Sequence, residues 1–85
     1  NYPNPFNPVT TVSYKLVEPE FVNLSVYDVN GNFIKNLISG KRGSGENIVN
    51  WNGKNDANEN VAGGVYFYRI ETKSYSSTKK MILLK

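Results

Sequence analysis

"FVNLSVYDVNGNFIKNLIS", residues 21–39, has a period of two rather than 3.6. Val22, Leu24 and Val26 fall on one face, with Asn23, Ser25 and Tyr27 on the other, the alternation of a half-buried strand. Asn30-Gly31 comes next, a pair that tolerates positive φ at both central positions of a two-residue hairpin turn. "FIKNLIS" then reads as the returning strand. A hairpin with one apolar face needs a second layer to cover it, so this stretch sets the fold class.

The same period recurs outward from it. "TTVSYKL" (residues 10–16) sets Val12, Tyr14 and Leu16 against Thr11, Ser13 and Lys15. "GKRGSGEN" (40–47) reads as a glycine-rich loop and "NIVNW" (47–51) as a short strand. The Asn-, Asp- and Gly-rich run 52–64 reads as a long exposed turn region. "VYFYRIET" (65–72) is the most apolar and aromatic strand and is expected at the centre of a sheet. "YSST" (75–78) is read as a turn, and "TKKMILLK" (78–85) closes the chain. No segment combines helical periodicity with caps. Six strands are thus expected, with a seventh from the opening segment or from Val61-Ala62. The fold class is all-β, an immunoglobulin-like β-sandwich of about seven strands with no disulfide; a small barrel is the alternative.

The opening "NYPNPFNP" carries three prolines, which fix φ and lack a ladder donor. Residues 1–8 are therefore read as a linker or boundary segment leading into the domain, and 9–85 as the domain. Phe6 is expected to insert its ring into the sandwich, and Tyr2 to lie on the surface. Because the sequence starts on Asn1 without a methionine, it reads as a piece of a longer chain with any export signal upstream.

Composition narrows the chemistry. With no histidine and no cysteine, the commonest general base, nucleophile and transition-metal ligands are missing. The seven carboxylates are scattered, and Glu18 and Glu20 flank Pro19 in a turn, so no acid–base pair is framed by a cleft. The reading is a protein without enzymatic activity and without a cofactor. The net charge of +3 comes from dispersed lysines and arginines, adjacent only at Lys41-Arg42 and Lys79-Lys80; these read as solvated strand edges rather than a nucleic-acid surface. No apolar run approaches the roughly 20 residues of a membrane-spanning helix.

A few positions stand out. Asp56, Asn58 and Asn60 place oxygens at alternate positions, as a calcium loop does, but Val61 and Phe67 stand where its glycine and bidentate glutamate belong. An Asx-rich turn is the simpler account. Trp51 shares a face with Val49, and Tyr66 and Tyr68 with Ile70, so all three aromatics read as core; Tyr27 and Tyr75 are freer. The end "MILLK" points Met81 and Leu83 one way and Ile82 and Leu84 the other, one apolar face more than a two-layer sandwich requires. The surplus row either lies beneath a loop or the proline segment, or is read by another protein.

Taken in order, the pieces resemble the type A C-terminal sorting domain of the bacterial type IX secretion system. They are "NYPNPFNP" with Thr10-Thr11; Tyr27, Asp28 and Gly31 of a YD-x-x-G hairpin; Val49, Trp51, Asn52 and Gly53; Gly64, Tyr66, Arg69 and Ile70 of G-x-Y-x-x-R-[LI]; and Lys80, Met81, Leu83, Leu84 and Lys85. The resemblance covers the whole chain, departing at Asn32, where the family has Arg or Lys. It implies an exported protein, periplasmic in transit and then at the cell surface or outside. Its domain would be recognised by the outer-membrane translocon, and in that family is commonly cut by a sortase-like peptidase, after an N-terminal cargo to which it is covalently joined. The recognition information would lie in the last strand, Lys80, Met81, Ile82, Leu83, Leu84 and Lys85. That strand is also a route to a homodimer by edge pairing. The Ig-like domain of flagellar hook-capping proteins shares the W-x-G and G-x-Y-x-x-R pieces, so a structural spacer is one alternative. A carbohydrate-binding module, which needs Trp51 or a tyrosine row exposed, is the other.

Overall fold

The computed structural model describes residues 9–84; Tyr2, Phe6 and the rest of 1–8, with Lys85, lie outside the described residues. Six strands succeed one another: β1 (Thr10–Leu16), β2 (Glu20–Tyr27), β3 (Phe33–Arg42), β4 (Gly45–Trp51), β5 (Gly64–Glu71) and β6 (Ser76–Leu83). They form a two-stranded sheet, β1-β4, and a four-stranded sheet ordered β3-β2-β5-β6, antiparallel throughout. Thus β5 occupies an interior position, as its composition requires. Val61-Ala62 belongs to no strand; beside it Lys54 and Asn60 form an isolated bridge.

The core lies between the sheets. Val12, Leu16 and Trp51 come from the smaller sheet, and Val22, Leu24, Val26, Ile38, Tyr66, Ile70, Met81 and Leu83 from the larger. Trp51 is wholly buried. Its Nε1–H donates to the carbonyl of Lys54 at 2.8 Å, and the Tyr66 ring meets the indole edge-on, centroids 5.0 Å apart at 75°. A buried aromatic is stable only if its polar end finds a partner. Tyr66 meets this condition too, its hydroxyl donating to the Ala62 carbonyl at 2.6 Å.

Three local expectations are corrected. First, only Gly31 of the Asn30-Gly31 pair has positive φ, 85°. The loop has three residues, Val29–Gly31, closed by Asp28 N–H to Asn32 O and Gly31 N–H to Asp28 O, both 3.0 Å. The Asp28 carboxylate selects this form: Oδ1 accepts from the backbone of Asn30 and Asn32 at 2.9 Å, and Oδ2 accepts from Asn32 Nδ2 at 3.0 Å. This is a type I turn with a left-handed glycine after it and a bulge beside it. Asn32 therefore has a structural task in the turn.

Second, the glycine-rich "loop" 40–47 is largely strand. Gly40, Lys41 and Arg42 continue the ladder opposite Val22, Phe21 and Glu20, leaving Gly43 and Ser44 to turn. Gly45 at φ 91° and the Asn47 amide, which donates to the carbonyls of Gly43 and Gly45, close that turn. Third, the last hairpin turns at Thr72–Tyr75 rather than 75–78. Thr72 N–H donates to Tyr75 O at 2.8 Å and the Thr72 hydroxyl accepts from Ser74 and Tyr75. Residues 76–78 already lie in β6, where Ser76 and Thr78 face solvent at an edge and Ser77 is half-buried.

Stability measurements check both the core and the turn. Trp51→Ala is expected to lower unfolding free energy by about 3–5 kcal/mol and Tyr66→Phe by about 1 kcal/mol, read by urea denaturation. Hydrogen bonds from the Asn32 backbone, then from its side chain, hold the Asp28 carboxyl below its ordinary value, with Asn30 and Gly31 adding to them. The folded form thus holds this proton less tightly than the unfolded chain. The stabilisation is complete above the unfolded value of 3.8 and is lost as pH falls through the lowered one. Asp28→Asn should flatten the acid limb of stability measured between about pH 5 and about pH 2.

Candidate functional site

The alternation of β6 separates two sets of side chains on one strand. Met81 and Leu83 enter the core, Leu83 being 1% exposed, while Ile82 stands 56% exposed and Leu84 77%. Ile82 pairs with Val65 of β5, itself exposed, so the surplus row lies on the outer face of the four-stranded sheet. Lys80 is exposed on the same face, and Lys79 is exposed on the other. At the opposite edge of β6 the Thr10 hydroxyl donates to the Ile82 carbonyl at 3.4 Å, the point where the two sheets approach.

The G-x-Y-x-x-R-I positions divide between fold and surface. Gly64 sits at φ 140°, a conformation L side chains rarely adopt, and starts β5 opposite Leu83. Tyr66 and Ile70 are core. Arg69 has no part in the interior: its side chain is about half exposed and pairs with Glu71 at 3.4 Å. A solvated pair of this kind contributes little to stability.

On the same outer face the structure assembles aromatics that reading the chain strand by strand does not bring together. Tyr27 meets Phe33 edge-to-face at 6.1 Å and 73°, and Phe67 is the register partner of Tyr27 on β5. Tyr27 and Phe67, with Arg69 and Thr78, line an open cleft of about 320 Å³ beside the β2–β3 turn. The signal for Phe67 was present in its parity, opposite to that of Tyr66 and Tyr68. Phe33 required the register across the turn.

The remaining candidates fall elsewhere. Asp56, Asn58 and Asn60 lie in the 52–63 loop, which Asn55 organises: its Oδ1 accepts from Ala57 and Glu59 N–H, and its Nδ2 donates to Glu59 Oε1. Asp56 Oδ1 accepts from the Asn36 backbone at 3.4 Å, and Asn58 takes φ 65°. Among the described residues no group of three or more His, Cys, Asp or Glu side chains converges. Trp51 is enclosed and offers no sugar-stacking face, and Tyr27 with Phe33 is angled rather than flat. Among the described residues no helix is long and apolar enough to cross a membrane.

Comparison with known proteins supplies the context. Residues 1–84 match the family described as "Secretion system C-terminal sorting domain". A search of curated proteins gives no significant match. Among solved structures the chain is similar to FlgD from P. aeruginosa (TM-score 0.71, 21% identity, 88% of this chain and 59% of that one). It is likewise similar to FlgD from Xanthomonas campestris, a structure described for hook capping in flagellar assembly (0.70, 22%, 91% and 56%). The chain thus spans under two thirds of either FlgD chain, and at these identities the likeness is one of fold.

Fold and surface duties on β6 are separable by substitution. Met81→Ala should cost about 2–5 kcal/mol of stability, whereas Ile82→Ser should stay within about 0.5 kcal/mol, by urea denaturation of each variant.

Proposed function

The chain belongs to the family of secretion system C-terminal sorting domains, and from that premise we propose that it is a non-catalytic address tag read by the type IX outer-membrane translocon through its last strand. The observation that carries this reading is the split within "MILL". The fold uses Met81 and Leu83, while Ile82 and Leu84 present apolar surface that it does not use. Family membership by itself gives a sorting role that directs an exported protein to the cell surface or the extracellular space.

In this proposal the cargo precedes residue 1 and crosses the inner membrane on its own signal peptide. The domain folds in the periplasm before the translocon engages it. A sandwich with a buried aromatic joint suits this order, because its last strand becomes a defined surface only when β5 is in place beside it. Residues 1–8 serve as the boundary at which a sortase-like peptidase separates cargo from tag.

The test is a reporter carrying a signal peptide and this domain, expressed in a host with the secretion system. The intact fusion should appear outside the cell, and one lacking residues 81–85 should remain periplasmic. The full-length fusion bearing Ile82→Ser and Leu84→Ser keeps the core side chains and should lose most of its export. Equal export of the truncated and intact fusions would falsify the assignment to this strand.

A further inference from the structure

β1 and β6 are the facing edges of the two sheets, and they diverge from the point where Thr10 touches Ile82. Toward the other end the seam opens into a cavity of about 140 Å³, whose lining includes Tyr14 and Lys15 of β1, Ser77 and Lys79 of β6, and Tyr75. The Tyr14 hydroxyl is buried with no hydrogen-bond partner, the one such side-chain atom among the described residues. Burial pushes its pKa up, against the opposing effect of Arg42, so it is a protonated donor near neutral pH. Leaving such a donor unpaired is unfavourable, and native structures seldom tolerate it without use.

The backbone of β6 faces the same opening. The Thr72–Tyr75 turn sets the ladder phase, so N–H and C=O groups of Ser76, Thr78, Lys80 and Ile82 point away from β5. No strand among the described residues pairs with that edge. Lys15 and Lys79 flank it, and although Glu46 is the register partner of Lys15, Arg69–Glu71 is the only ion pair among the described residues. An unpaired edge, an unused buried donor and two cations outside any ion pair therefore meet at one place.

We propose that this seam takes up an extended acidic peptide segment of another protein, which adds as a strand along the β6 edge from Ser76 to Lys80. Its carboxylates lie against Lys15 and Lys79, and a small opening of the seam brings the Tyr14 hydroxyl, closed to solvent in the free chain, to a backbone carbonyl of the segment. Charge decides the occupant. Pairing two copies of β6 would bring two Lys79-Lys80 pairs onto one ladder, and like charges across strands repel. An acidic segment meets both the lysines and the chain's net +3. The inference rests on the seam and not on the sorting role, so the export test and the peptide titration fail separately.

The 85-residue chain is titrated with a fluorescein-labelled peptide, TEVEVT, and with its counterpart TKVKVT, monitored by anisotropy and by backbone amide shifts. TEVEVT should bind, move the amides of Ser76, Thr78 and Lys80 and slow their hydrogen exchange, while TKVKVT should not bind. Tyr14→Phe should weaken binding about fivefold, the worth of one hydrogen bond, without lowering the unfolding midpoint. Lys79→Glu, on the exposed edge, should weaken it as well. The proposal is overturned by equal binding of the two peptides, by amide shifts confined to another face, or by no binding up to about 1 mM peptide. It is equally overturned if Tyr14→Phe destabilises the fold without weakening binding. Sedimentation showing that the chain self-associates with the same amides protected would give the edge to a second copy instead.

Discussion

The indole of Trp51 joins the two sheets, and the rest of the structure is arranged around it. A two-stranded sheet is marginal by itself in water, and β1-β4 sends only Val12, Leu16 and Trp51 wholly into the core. The tryptophan also fixes the loop on its C-terminal side. Its N–H holds the carbonyl of Lys54, and its ring holds Tyr66, whose hydroxyl in turn holds Ala62. The 52–63 loop is thereby tied down at both ends without any strand of its own. Gly64 then turns into β5 at a φ that few other residues accept. The position of β5 determines that of β6, so the last strand is located by contacts made well before it in the chain.

Alternation made the strands and the core readable, because side-chain parity in a sheet is a local property. Val22, Leu24 and Val26 are buried as their spacing requires, and Trp51 and Tyr66 are core for the same reason. What was hidden depends on which groups meet across a turn. Asn30-Gly31 is a strong two-residue turn signal, yet Asp28 two residues before it captures the donors of Asn30 and Asn32 and makes a three-residue loop. Gly40 to Arg42 look like loop until β2 is found opposite them. The grouping of Tyr27, Phe33 and Phe67 needs the register of three strands, which no single window of sequence contains.

The last strand shows how one short segment carries two constraints. Parity gives Met81 and Leu83 to stability, and their loss would be felt everywhere in a domain this small. The same parity leaves Ile82 and Leu84 free of that duty, and the proposed sorting role gives their apolar character a use. An apolar row on an edge strand carries an aggregation risk, and natural sheets limit it with charge. Lys79 and Lys80, directly preceding the row, supply that charge.

Two of the tyrosines at the sheet interface have opposite outcomes. Tyr66 directs its hydroxyl to a carbonyl of its own chain, and in doing so fixes the loop that leads into β5. Tyr14 sits where the sheets part, and among the described residues its hydroxyl has nothing to donate to. A phenylalanine at position 14 would fill the same space without burying an unpaired donor. The fold therefore accounts for the ring of Tyr14 but not for its oxygen. Tyr14 lines the seam whose other wall is β6, so the residue that folding leaves unexplained is adjacent to the strand proposed as the sorting signal.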